Sequence, residues 1–466
     1  MFKYKGIRIR RFHRDIVFIY LSLMSLPFTL LSISFLYLVY ARSPDKLIWA
    51  ALAAAIFAFC GAIISFAVYK RSDNHNGFFT RVKHRQLLAR MIIDNKLYLA
   101  KNRNRNNPRQ KIIYFPKIYY HYKELIITVR FPMDLQKNQD KFNRIGEQLE
   151  QALFADLFDI IDEKGFKAYK LINDPIQNRI NITDTKPDSK EIELMQGFNW
   201  DYNKFPHALI SGVTGGGKTY FIQALLKSCI DLGADCYICD PKMSDLSQMD
   251  QVPILEEKVF SSTGQINKCV REFYEQMVDR QKEYKELLRK AGEIGKDYRS
   301  FNMQPKVLFF DEYVAHMSNL DFKEQEKTLG YLKQIILLGR QLGFFLVAGM
   351  QRPDAKYFED GMRDQFGLRI SLGQMSRSGY IMMFGESDKN FKVQSDEVRG
   401  WGYASIGGAY VRAFFAPFVP PEFSFYNYLL SKDEPSQLSD QSRQAIAERG
   451  RGTPSEAARA KSGVRS

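Results

Sequence analysis

The sequence predicts an α/β protein: one doubly wound P-loop domain, preceded by a two-helix transmembrane hairpin and a small α+β domain. Three observations predict it. Gly212-Val213-Thr214-Gly215-Gly216-Gly217-Lys218-Thr219 has the G-x-x-x-x-G-K-S/T spacing of a phosphate-binding loop, set between an apolar strand and a helix. A second apolar strand, Val307–Phe310, delivers two carboxylates, Asp311 and Glu312, at its C-terminal end. Near the N-terminus, Ile16 to Tyr40 and Leu47 to Tyr69 are apolar runs without a charged side chain, each long enough to cross the hydrocarbon core as a helix.

Residues 1–15 read as a basic cytoplasmic N-terminus and 16–69 as the hairpin. The first run is too long for the core of a signal peptide, and a second follows at once without a small-residue cleavage site. Residues 1–111 hold 20 Lys and Arg against 4 Asp and Glu, so nearly all of the chain's net charge of +15 is juxtamembrane. The excess lies before the first run and after the second, while the loop between carries only Arg42, Asp45 and Lys46. That asymmetry predicts a two-pass plasma-membrane protein with both termini and the P-loop domain cytoplasmic, its basic flanks against anionic lipid. Nucleic-acid contact by Lys101, Arg103, Arg105 and Arg109 is the competing use of the same charge.

Residues 70–195 predict the small α+β juxtamembrane domain, with strands at Lys111–Phe115 and Leu125–Arg130 and a helix over Asn138–Leu157. Residues 196–430 predict the P-loop α/β domain, with strands at Ala208–Ser211, Asp235–Cys239, Val307–Phe310, Phe344–Ala348 and Leu368–Leu372 alternating with helices. From 431 to 466 the chain is rich in Ser, Gln, Ala, Arg and Gly and lacks aromatics, which predicts a disordered tail. Five scattered cysteines suit a reducing compartment. Cys236 and Cys239 form a C-x-x-C, but on a strand and without a second pair or a histidine cluster, so core packing is the better reading and no metal beyond nucleotide-bound Mg²⁺ is expected.

The chemistry follows from the residue types. Gly212 to Thr219, with Tyr220 beside them, would bind ATP: the glycines let backbone N–H groups turn toward phosphate oxygens, Lys218 reaches the β- and γ-phosphates, and the Thr219 hydroxyl ligates Mg²⁺. Asp311 would hold the metal through water, and Glu312 would orient the attacking water.

Further motifs complete a pattern. Lys204-Phe205-Pro206-His207-Ala208-Leu209-Ile210 runs into the P-loop; then come Cys239-Asp240-Pro241-Lys242, Phe310-Asp311-Glu312-Tyr313, Gly339-Arg340-Gln341-Leu342-Gly343 and Gln351-Arg352-Pro353. In order and spacing these resemble the motor of FtsK/SpoIIIE-type DNA translocases over about half the chain. The resemblance implies a RecA-like fold and a ring hexamer that pumps DNA through its centre. It places a γ-phosphate sensor at Gln351 and residues near a subunit interface at Asp240 and Lys242. A trans-acting arginine finger is expected at Arg377, with Arg340, Arg352, Arg363 and Arg369 as rivals. DNA-gripping loops have no diagnostic pattern, and Lys356, Arg363 and Arg369 are candidates only.

Departures from the pattern narrow the expectation. The cell-division translocases carry more spans, a long low-complexity linker and a polarity-reading winged-helix domain, and an acidic residue after Asp-Glu-Phe where this chain continues Tyr313-Val314-Ala315-His316. A hairpin, a small domain and one motor look like the coupling proteins, the TcpA group among them, of Gram-positive conjugative plasmids and integrative conjugative elements. The resemblance then implies delivery of relaxase-bound DNA to membrane channel proteins, with the strand form of the DNA open. A duplex-DNA segregation translocase, a type VII-like protein-export ATPase and a non-enzymatic scaffold are the alternatives.

Overall fold

The computed structural model describes residues 5–73, 77–101, 111–123, 126–135, 137–172, 175–185, 190–292, 294–353, 360–387, 389, 391–392, 399–408 and 410–432. Most of the expected tail, Lys356 and the basic Arg103, Arg105 and Arg109 lie outside these residues. The chain divides into two compact units, Met1–Gln177 and Asn178–Ser466.

The first unit opens with strand β1 (Ile7–Arg8), then helices α1 (Ile16–Arg42), α2 (Leu47–Asp73) and α3 (Phe78–Asp94). Both α1 and α2 are long and apolar enough to span a membrane. Their apolar side chains stay exposed, among them Leu31, Ile33, Ile48 and Trp49, which a water-soluble helical pair would bury. One inter-helix tie is polar: Ser32 Oγ donates to Ala54 O at 3.0 Å.

After the hairpin come β2 (Leu99–Lys101), β3 (Lys111–Tyr114), β4 (Tyr119–Lys123), β5 (Ile126–Pro132), α4 (Gln139–Asn143), α5 (Gly146–Leu153), β6 (Asp156–Glu163) and β7 (Phe166–Ile172). Among the described residues the main sheet runs β1-β4-β5-β7-β6. The pairing of β1 with β4, Ile7 opposite Tyr120 and Arg8 opposite Tyr119, makes Ile7–Arg8 an edge strand of that sheet. The single helix expected over Asn138–Leu157 is two. The backbone breaks at Arg144-Ile145, Gly146 packs where a Cβ would meet Leu157 at 2.8 Å, and Phe154 turns left-handed at φ 52° to start β6. Helical spacing of the apolar residues survived the break, so periodicity alone could not reveal it.

The second unit begins at Asn178, earlier than the composition shift near 195. It carries the hairpin β8 (Ile192–Met195) and β9 (Phe198–Trp200), then β10 (Ala208–Gly212), α6 (Lys218–Asp231), β11 (Asp235–Cys239), β12 (Val259–Phe260), α7 (Thr263–Ala291), β13 (Lys306–Phe310), α8 (Tyr313–Ser318) and α9 (Phe322–Leu342). There follow β14 (Phe344–Met350), α10 (Asp360–Arg363), β15 (Leu368–Leu372), α11 (Arg377–Phe384), β16 (Trp401–Ile406) and β17 (Arg412–Phe415). The sheet order is β12-β11-β13-β14-β10-β15-β16-β17, parallel from β12 to β15 and antiparallel at the β16–β17 edge. The RecA-like α/β architecture is thus present, and β14 separates the P-loop strand β10 from the carboxylate strand β13. All seven residues of β14 are buried, as a central parallel strand covered on both faces requires.

Caps set the long helices that flank this sheet. Ser262 and Gln265 form a capping box before α7, and Asp321 accepts from Glu324 N–H before α9; Gly292 and Gly343 end the two helices with positive φ. Cys236 and Cys239 are both buried on β11. Their odd spacing sends them to opposite faces of the sheet, so the C-x-x-C cannot chelate one ion.

Candidate active site

The P-loop leaves β10 and is held in place by its neighbours before it reaches α6. Val213 N–H donates to Leu372 O at 3.2 Å, Gly216 N–H to Val213 O at 2.9 Å, and Gly400 N–H to Gly216 O at 3.1 Å. Gly215 and Gly217 sit at φ 79° and 97°, a region costly to residues with a Cβ. A Cβ on Gly216 would stand 2.9 Å from Leu372 O. The amides of Thr214, Gly215 and Gly217 have no protein acceptor among the described residues. With the N-terminus of α6 immediately after them, they form an anion cradle that fits nucleotide phosphate.

The structure brings Lys218, Asp311, Glu312 and Gln351 together. Lys218 Nζ donates to Asp311 Oδ1 at 2.5 Å and to Glu312 Oε1 at 2.9 Å. All three side chains are buried, with exposures of 8%, 3% and 8%. Gln351 follows β14, its carbonyl accepts from Ser211 Oγ at 3.1 Å, and its Nε2 lies 3.4 Å from Glu312 Oε1. Glu312 has φ 48° and ψ 38°, a left-handed conformation that a β-carbon disfavours, held in part by its N–H bond to Asp311 Oδ1 at 2.9 Å.

Charge divides the two carboxylates. Burial raises the Asp311 pKa, and the neighbouring Lys218 only partly offsets it. Burial also opposes the charge on Glu312, but Lys218 and Lys242 together hold its pKa below the ordinary value, so it is an anion at neutral pH. Lys242 Nζ, 3.0 Å from Glu312 Oε1, thus belongs to the cluster of its own chain. Asp240 shapes that loop by accepting from Lys242 N–H at 3.2 Å and from Ser244 N–H and Oγ at 2.7 Å each.

Thr219 is half-buried at the start of α6, while Tyr220 is exposed beside it. Arg377 is exposed at the first position of α11, capped by Ser376, and does not join the Lys218 cluster. Of its rivals, Arg369 is buried and paired with Asp364 at 3.0 Å, and Arg363 donates to Met382 O at 3.2 Å, which occupies both in the fold. Arg340 and Arg352 are exposed. Two glycines escaped notice in the sequence. Gly349 on β14 leaves room where a Cβ would overlap Asp311 Oδ1, and Gly400 supports the P-loop from behind.

Comparison with known proteins bears on the same residues. The FtsK/SpoIIIE family matches residues 186–372, which contain the P-loop, both carboxylates and Gln351. The chain is 43% identical over 354 residues to the Ftsk domain-containing protein YdcQ of Bacillus subtilis strain 168, covering 74% of this chain and 72% of that one. It is 25% identical over 206 residues to the DNA translocase FtsK of Clostridium tetani, and there spans only 26% of the relative's length. Among solved structures it is similar to the pCW3 conjugation coupling protein TcpA, monomer form with ATPγS, at 18% identity and TM-score 0.45, covering 76% of this chain and 99% of that one. On the extent and identity of the match to YdcQ, the chain belongs to the FtsK/SpoIIIE family.

Proposed function

We propose that this protein is a membrane-anchored, ATP-driven DNA translocase that acts as the coupling protein of conjugative transfer, delivering relaxase-bound DNA to a membrane channel. The observation that carries the motor reading is the buried Lys218–Asp311–Glu312 cluster at the end of β13, with Gln351 reaching Glu312 from the inserted strand β14. ATP, held with Mg²⁺ by Gly212 to Thr219 and Asp311, supplies the transferable phosphoryl group. Glu312, ionised and aligned by Gln351 and Lys242, orients a water and accepts its proton. Lys218 supplies positive charge where negative charge develops, and the Thr219 hydroxyl and Asp311 carboxylate serve the metal. Arg377, exposed and apart from its own chain's cluster, suits a finger offered to a neighbouring copy in a homo-hexamer.

DNA as the cargo is supported by family membership and by relatives named DNA translocases. The coupling role is supported by the arrangement of one motor behind a two-helix hairpin. The pairing of β1 with β4 puts the chain before α1 and after α2 in one sheet, so both ends of the hairpin open to one side, and the basic flanks favour the cytoplasmic side.

ATP hydrolysis by the full-length chain in detergent, with and without single- and double-stranded DNA, tests the reading. DNA should stimulate turnover, and Glu312→Gln should lower it by about 10²- to 10⁴-fold while nucleotide still binds. Preference for single strands favours the coupling role, and preference for duplex favours segregation. Turnover that depends on Glu312 but ignores both forms of DNA would overturn the DNA reading in favour of protein export.

A further inference from the structure

A half-buried guanidinium without a carboxylate partner stands beside the phosphate loop. Arg179 Nε donates to Ala416 O at 2.7 Å, and the guanidinium lies 5.2 Å from the centre of the Phe418 ring. Among the described residues no Asp or Glu pairs with it. A carbonyl and an aromatic face return only part of what burial takes from a cation, and burial lowers its pKa accordingly.

Short contacts tie this arginine to the loop. A Cβ on Gly400 would stand 2.8 Å from Arg179 Nη2, and Gly400 itself holds φ +85°. Gly400 O accepts from Ala416 N–H at 2.7 Å, and Gly400 N–H donates to Gly216 O at 3.1 Å. A Cβ on Gly217 would meet Gly400 Cα at 3.2 Å. Arg179 is thus one glycine's width from the loop that cradles phosphate. It lies outside residues 186–372, so the family's motifs do not point to it.

The sheet order tells which flank it serves. Asp311, Glu312 and Gln351 follow β13 and β14, on one side of β10, whereas Gly400 leads into β16 on the other. We propose that Arg179 binds the phosphates of a nucleotide held by its own chain, from the side of the P-loop away from the reacting γ-phosphate. The inference rests on the nucleotide reading of that loop. Because the contact is to phosphates that remain after hydrolysis, Arg179 contributes equally to ATP and ADP and little to the chemical step.

The test is calorimetric binding of ATPγS and of ADP to the full-length chain in detergent, for the wild type, Arg179→Gln, Arg179→Lys and Lys218→Ala. Arg179→Gln should weaken both nucleotides by the same factor, about ten- to a hundredfold, with Arg179→Lys between it and the wild type. The melting midpoint without nucleotide reads the lost bond to Ala416 O separately: a variant that melts lower yet binds both nucleotides like the wild type has shown an anchoring role alone, and the inference is overturned. If Lys218→Ala loses binding while both Arg179 variants bind like the wild type, the inference is overturned and the nucleotide site stands. A loss confined to ATPγS overturns it equally, since that is the signature of a γ-phosphate contact. If Lys218→Ala binds both nucleotides normally, the nucleotide reading itself fails. Should Arg179→Gln not fold, Arg179→Lys decides, with unchanged affinities counting against the proposal.

Discussion

Replacing Lys218 by Met should destabilise the nucleotide-free motor by an amount that depends on pH. Asp311 is 3% exposed and its cation is Lys218 at 2.5 Å, whereas Glu312 keeps Lys242 at 3.0 Å. Without the ammonium, Asp311 is a buried charge next to a second carboxylate and takes up a proton on folding. Holding neutral at pH 7 a carboxyl whose ordinary pKa is 3.8 costs at most about 4 kcal/mol. That agrees with the ~3–5 kcal/mol typical of breaking a buried ion pair. The sign follows from the raised folded pKa: the native variant binds a proton that the unfolded chain releases. Because burial already raises the Asp311 pKa in the wild type, the deficit relative to it is absent at low pH and grows only as pH rises above that raised wild-type value. Urea unfolding in detergent should find a larger deficit at pH 7 than at pH 5, bounded at pH 7 by about 4 kcal/mol. A second substitution, Asp311→Asn, should restore most of it. A deficit equal at both pH values, or indifferent to Asp311→Asn, would refute the account of the cluster as a buried carboxylate pair neutralised by Lys218.

Gly349→Ala places a Cβ against Asp311 Oδ1 and 3.0 Å from Ile222 Cδ1, in a strand with no slack. It should cost about 1–3 kcal/mol and displace Asp311, so that hydrolysis falls at least about tenfold while nucleotide still binds; full turnover would contradict the geometry. His207 is fully buried, and its Nδ1 accepts from Leu346 N–H at 3.0 Å, so Nε2 carries the proton it donates to Ile336 O at 3.0 Å. Burial lowers its pKa to about 4, and that of His316 likewise. Below pH 6.5 the unfolded chain gains protons that the native state refuses, so stability should fall as pH drops from 6.5 toward 4, by about 3 kcal/mol for His207 alone. Unfolding curves at pH 7.5 and 5.5 measure this, and His316→Gln should make the pH dependence shallower.

The strands of the motor core were legible because buried parallel strands are continuous apolar runs: Asp235–Cys239 and Leu368–Leu372 match residue for residue, and β14 extends only two residues past its expected end. The antiparallel edge was not. Trp401–Ile406 is broken by Gly402, and a Cβ there would strike Ser371 O, a requirement that exists only once β15 lies alongside. Strands β6 and β7 were hidden in the same way, since Asp156–Glu163 interleaves acids with apolar residues and finds its pattern only against Lys167 and Lys170 across the ladder.

By itself the sequence determined the pieces whose chemistry is local: a loop whose consecutive amides can face an anion, a strand that ends in two carboxylates, and two helices apolar on every side. Contiguity suffices for these, because backbone geometry and side-chain identity act within a few residues. The tertiary structure decided what those pieces do to one another. Inserting β14 between β10 and β13 is what sets Gln351 against Glu312, and bringing β11 beside β13 is what gives Glu312 the second cation, Lys242. Lys218 and Asp311 stand 93 residues apart in the chain and 2.5 Å apart in space. That distance, and the Gly400 support that carries Arg179 to the P-loop, depend on strand order and close packing, which no single stretch of the chain encodes.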